Sequence, residues 1–173
     1  MLVLGIDPGT QNMGYAVVSL GTQPKAEDYG VISLPRKMPI EQRLYQLHTH
    51  ILNMVAIFNP AAIAVEQPFV GKGEREFIGP AIAVGQAQAV VLIGAASQGI
   101  PLFTYSPAQV KLAVANYGAA TKEQMQQSVI ATLGLTDVPT SDAADALAVC
   151  LCHLAQLQAA DALGREITPG SER

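Results

Sequence analysis

Four carboxylates in this chain stand where a carboxylate is costly. Asp7 closes an apolar opening run, Met1-Leu-Val-Leu-Gly-Ile-Asp7, and Glu66 ends a second, Ala61-Ala-Ile-Ala-Val-Glu66. Asp142 and Asp145 lie three residues apart in Ser141-Asp-Ala-Ala-Asp-Ala-Leu-Ala-Val149. Acids at the ends of buried segments are unfavourable unless something cationic meets them. A hard ion such as Mg²⁺ prefers carboxylate oxygens and keeps several waters, so the residue chemistry points to metal-dependent phosphoryl transfer. Each acid also has an ordinary reading. Asp7 fits an Asp-Pro-Gly turn and Asp142 a first-turn acid that complements the helix macrodipole. Glu66, directly after Ile-Ala-Val, has fewer such explanations.

The elements that must position these acids are legible from pattern. Residues 1–7 and 14–20 read as strands joined by Pro8-Gly9-Thr10-Gln11-Asn12, with a third strand over 28–34. Ile40, Leu44, Leu47, Ile51 and Val55 recur at helical spacing, and Asn59-Pro60 ends that helix. A strand at 61–66, a loop at 67–79, a helix over 80–98 and a strand at 100–105 follow. Ser106-Pro107 opens a helix to about Asn116, and Thr121-Lys-Glu-Gln124 makes a capping box for another that Gly134 ends. Ser141 is expected to cap the last helix, from 142 to about 160, with Asp142 and Asp145 on one face. The pattern predicts an α/β fold: a mixed five-stranded sheet with helices on both faces. Residues 1–160 form one domain and 161–173 a polar tail.

The 173 residues suit one domain with a substantial core. Half are hydrophobic and 14% charged, which excludes a disordered chain. No signal peptide is read at the start, where Asp7 cuts an apolar stretch without a basic leader, and the longest clean apolar run in the middle, Ala89 to Ala96, is too short to span a bilayer, so a cytoplasmic protein without membrane contact is expected. Cys150 and Cys152 point to different helix faces, which disfavours a disulfide, and with His153 they read as buried packing rather than a soft-metal set. The net charge of −4 argues against a strongly basic nucleic-acid footprint. Setting the four acids aside leaves ten acidic against ten basic residues, so the deficit equals the site itself.

Several stretches together resemble the bacterial RuvC-type crossover-junction endodeoxyribonucleases of the ribonuclease H-like superfamily. They are Leu4-Gly-Ile-Asp-Pro-Gly-Thr10 with Gly14-Tyr15, Val65-Glu-Gln-Pro-Phe69, Gly85-Gln86-Ala87, Tyr105-Ser-Pro-Ala-Gln-Val-Lys111, Ala120-Thr-Lys122 and Asp142-Ala-Ala-Asp-Ala-Leu-Ala148. The resemblance runs from Leu4 to about His153. It implies a ribonuclease H-like nuclease domain whose catalytic, metal-binding acids are Asp7, Glu66, Asp142 and Asp145. It also implies two Mg²⁺ ions per site, with Mn²⁺ as a substitute. The implied reaction is resolution of four-way DNA (Holliday) junctions by paired symmetric nicks, leaving 5′-phosphate and 3′-hydroxyl ends, in recombination and repair. Phe69, Lys72, Lys111 and Lys122 match DNA-contacting positions. A homodimer, and the branch-migration proteins RuvA and RuvB, are the implied partners. The 70–84 stretch, longer than the family's usual loop, carries Glu74 and Glu76, and Gln88 stands where an arginine is common.

Rival readings are an actin-like nucleotide-binding domain, a junction-binding protein that does not cut, and a relative acting on RNA. The first needs a second domain and a second nucleotide loop, which 173 residues do not supply.

Overall fold

The computed structural model describes residues 1–21, 23–67 and 78–169. Five strands form one sheet in the order β3-β2-β1-β4-β5. They are β1 (Leu2–Asp7), β2 (Asn12–Ser19), β3 (Lys25–Ser33), β4 (Ala62–Glu66) and β5 (Leu102–Tyr105). β1 pairs antiparallel with β2, and β2 with β3, whereas β4 lies parallel to β1 and β5 parallel to β4. The helices are α1 (Ile40–Phe58), α2 (Ile78–Ser97), α3 (Pro107–Ala115), α4 (Lys122–Leu133) and α5 (Ser141–Ala162). This is the mixed five-stranded α/β architecture that the residue pattern predicts.

Strand alternation sorts the core into two layers. Leu4, Ile6, Ile63 and Val65 pack with Leu47 and Ile51 of α1 and Val91 of α2. Val3, Ala16 and Ala64 face the other way, against α5 and the α3–α4 pair. Helices therefore cover both faces. α5 is long and apolar enough to cross a membrane, but most of it is buried inside the fold.

Some boundaries differ from the sequence expectation. β3 begins at Lys25, three residues early, because this edge strand is pinned by Ser19 donating to Glu27 (2.7 Å) and by the Lys25–Glu27 ion pair (3.2 Å). β2 begins at Asn12, shortening the turn. The N-cap of α5 is Thr140 rather than Ser141, with no side-chain cap bond. The capping boxes at Ser106/Gln109 and Thr121/Gln124 form as read. Asn59 (φ 45°) and Gly134 (φ 61°) end their helices in the left-handed conformation.

Candidate active site

Asp7 is the last residue of β1, and Glu66 the last of β4. The two strands run parallel with Gly5 opposite Ala64 and Ile6 opposite Val65. One step further, Asp7 and Glu66 end neighbouring strands whose axes lie about 4.8 Å apart. Asp7 shares a face with Val3 and Gly5, and Glu66 with Ala64, so both carboxylates project toward α5.

Glycine lets that helix come close. Gly14 of β2 is the register partner of Asp7, and a Cβ on it would collide with the carbonyl oxygen of Asp142. A Cβ on Gly5 would meet the carbonyl oxygen of Ala146 and the Cys150 sulfur. Residues 142, 146 and 150 thus make the stripe of α5 that lies directly on β1 and β2. The Cys150 thiol reaches Ala16 O at 3.5 Å and Val3 O at 3.6 Å. The first turn of α5 is held against the strand that partners Asp7, and it carries Asp142 and Asp145 with it.

The electrostatics register this convergence. Burial first, then the charges of Asp145, Glu66 and Asp142, push Asp7 up from 3.8 to about 7, against a smaller opposing pull from Lys122. Glu66 rises from 4.5 to about 7 through burial and Asp145, opposed by Lys111 and Lys122. Asp145 is also raised, mainly by burial, although Lys122 Nζ stands 3.5 Å from its Oδ2. Thr121 caps α4 through its side chain, which fixes Lys122 at the first helical position. Glu66, Lys111, Lys122 and Asp145 line one cleft of about 440 Å³.

Four hard-oxygen donors whose charges repel one another in a half-buried site are chemically suited to a divalent cation. Among the described residues, no three His, Cys, Asp or Glu side chains are close enough to share one ion as they stand. The donor set fits a hard metal in its chemistry.

Raised carboxyls have a testable consequence for stability. Below about pH 4, Asp7 and Glu66 are protonated both folded and unfolded. Between their ordinary values of 3.8 and 4.5 and the folded value of about 7, only the folded chain keeps the protons, so stability falls as pH rises through that window. Asp7→Asn removes one of these penalties. Without divalent ions, its melting temperature should gain on the wild type steadily from about pH 4 to about pH 7. A difference that stays flat or shrinks across those pH values would contradict the raised Asp7.

The structure brings Asp7, Glu66, Asp142 and Asp145 to one end of the sheet, with Lys111 and Lys122 beside them. Phe69 and Lys72 lie outside the described residues, as do Glu74 and Glu76. Cys150, Cys152 and His153 build no metal set: the Cys150 thiol faces strand carbonyls, and burial pushes it up. His153 Nδ1 meets the Tyr105 hydroxyl at 2.7 Å, and burial lowers the imidazole to about 4, leaving it neutral. Gly14 and Gly5 are the positioning residues that sequence reasoning passes over, since only the packed helix reveals why a side chain is excluded there.

The family model described as "Crossover junction endodeoxyribonuclease RuvC" matches residues 3–153. The chain belongs to the RuvC family. A RuvC from Chloroflexus aggregans is 45% identical over 155 residues, covering 88% of this chain and 92% of that one. A RuvC from Syntrophomonas wolfei is 41% identical over 175 residues, covering 100% of this chain and 99% of that one. Thermus thermophilus RuvC, solved in complex with a Holliday junction substrate, superposes with a TM-score of 0.84 at 34% identity, covering 92% of this chain and 96% of that one. By family, this chain is a crossover junction endodeoxyribonuclease, an enzyme acting on Holliday junction DNA.

Proposed function

We propose that this enzyme resolves four-way DNA junctions by paired symmetric nicks, with Asp7, Glu66, Asp142 and Asp145 holding two Mg²⁺ ions per site and Mn²⁺ able to substitute. The observation that carries this reading is the register of β1 and β4, which ends Asp7 and Glu66 side by side beneath the first turn of α5. The chemistry such cations supply is acidification of an attacking water and neutralisation of charge on the leaving 3′ oxygen. The chain's own contribution is positional. The backbones of two strands and one helix fix the acids, and the apolar layers behind them resist displacement. Lys111 and Lys122, at the rim of the cleft, hold the phosphate backbone against the acids. Phe69 and Lys72 are assigned to the junction centre, where an aromatic ring stacks on an unpaired base. The products are 5′-phosphate and 3′-hydroxyl ends, formed in recombination and repair in the cytoplasm. Residues 1–160 constitute the nuclease domain and 161–173 its tail.

Two symmetric nicks require two symmetric sites, so the working form is a homodimer. Its support is α2, whose outward stripe includes exposed Ile82, Ala89, Leu92, Ile93 and Ala96. An exposed, largely apolar strip of this kind, broken at Gln86, suits an association surface. RuvA and RuvB are the proposed companions at the junction.

The test is purified protein with labelled four-way junction, linear duplex and RNA–DNA hybrid, each with and without Mg²⁺. Paired nicks on the junction alone support the reading. Binding without nicks would favour the non-cutting rival, and hybrid cleavage the RNA-acting one. Lys122→Ala should weaken junction binding and reduce the slope of log K against log salt by about 1. An unchanged slope would remove Lys122 from the phosphate contacts.

A further inference from the structure

We propose that Arg36, Lys37 and Arg43 form a second phosphate-binding flank, gripping the DNA backbone on the side of the acids opposite Lys111 and Lys122. This rests on the junction-cutting reading and extends it to how an acidic chain holds DNA.

Topology places the two basic groups. The acids of β1 and β4 occupy the middle of the sheet. Lys111 and Lys122 follow β5 at one edge. Arg36 and Lys37 follow β3 at the other edge, in the segment leading to α1. β3 is antiparallel to β2 and so runs with β1, which brings residues 34–39 out at the same end of the sheet as Asp7. Leu34 N donates to Gln11 O at 2.7 Å, tying this segment to the turn that follows Asp7. Arg43 reaches the same turn from α1, its Nη1 donating to the Thr10 hydroxyl at 3.3 Å and the Thr10 carbonyl at 3.4 Å.

These cations are available to an anion. Among the described residues the ion pairs are Lys25–Glu27 and Lys122–Asp145, so none of the three has a carboxylate partner there. Arg43 is half-buried, its Nε enclosed and its Nη1 on the Thr10 turn, so its guanidinium is held in place beside that turn. Nor does any of the three contribute to the depressing influences on Asp7, which come from Lys122 alone. The N-terminus of α1 points its dipole toward the same region, offset in part by Glu41 in its first turn. Glu41 lies in that turn, two residues from Arg43 and hence on a different helix face. Thr10 is three residues past Asp7, at most about 11 Å along the chain. A phosphate held there belongs to the same strand region as one cut at the acids.

The test is junction binding without divalent ions, measured across about 50–200 mM salt, for wild type, an Arg36→Ala/Lys37→Ala double variant, Arg43→Lys and Arg43→Ala. Arg36 and Lys37 are exposed, so the double variant should melt as the wild type does. The expected result is a slope smaller by about 2 for the double variant and by about 1 for Arg43→Ala, with Arg43→Lys close to wild type. A wild-type slope in the double variant would overturn the flank. Arg43→Ala that slows nicking of bound junction with its slope intact would remove Arg43 from the DNA and make it a support of the Asp7 turn. Should the wild type itself neither bind nor nick junctions, the failure lies with the junction-cutting reading instead.

Discussion

Asp7→Asn is expected to abolish nicking while junction binding survives. The substitution keeps the shape of the side chain and deletes its charge at the point where three other acids act on it. The loss should be about 10³-fold in the nicking rate, the upper range for removing one group that stabilises developing charge. Binding should persist, because the basic residues that meet phosphates are untouched and one repelling charge has gone. The fold should be no less stable, since Asn carries no burial penalty for ionisation. Gel-shift and cleavage assays on the same labelled junction read both quantities. Nicking at the wild-type rate would take Asp7 out of the chemistry and leave the acid cluster without its centre.

Gly14→Ala is expected to be the next most costly change, through packing alone. The added methyl group would have to occupy the place of the Asp142 carbonyl oxygen, which is backbone and has no rotamer to yield. The first turn of α5 must lift or tilt, and Asp142 and Asp145 move with it. Misplacing catalytic groups by about 1 Å can cost about 10²-fold in rate, and overpacking of this kind about 1–3 kcal/mol in stability. Gly85→Ala makes the contrast, because a Cβ there meets open space and alanine in a helix should add about 0.5–1 kcal/mol. Thermal melts and single-turnover nicking distinguish the two glycines. A Gly14→Ala enzyme that cuts normally would mean that α5 has slack over β2.

Much of the fold and of the acid site is legible in the amino-acid sequence. Asp7 and Glu66 stand out because each ends an apolar run, and strand periodicity then puts both on one face. The capping boxes at Ser106 and Thr121 are local chemistry, complete within four residues, so they survive folding unchanged. Asn59 and Gly134 announce helix ends for the same reason. The start of β3 was hidden because Lys25, Glu27 and Asp28 look like loop. On an edge strand such side chains project to water and pair across to Ser19. The cap of α5 fell at Thr140 because choosing between adjacent hydroxyl residues depends on where the helix meets the sheet. Arg43 reads as part of the polar face of an amphipathic helix, and only the returning turn at Thr10 gives it a partner. The role of Gly14 is the least legible, since what excludes a side chain there lies some 128 residues further along the chain, at Asp142.

On the proposed four-acid site, that remoteness sets when the enzyme becomes dangerous to DNA. During synthesis, β1 emerges early and can pair with β2 while the ribosome is still far from the codon for Asp145. Contacts of such long sequence separation carry a large loop-closure cost that slows folding, and here they supply half of the proposed acids. A nascent or partly folded molecule therefore holds Asp7 and Glu66 without the helix that completes them. With the four acids acting together as proposed, cutting is expected to begin only when α5 docks, and a fragment ending before Ser141 should not nick.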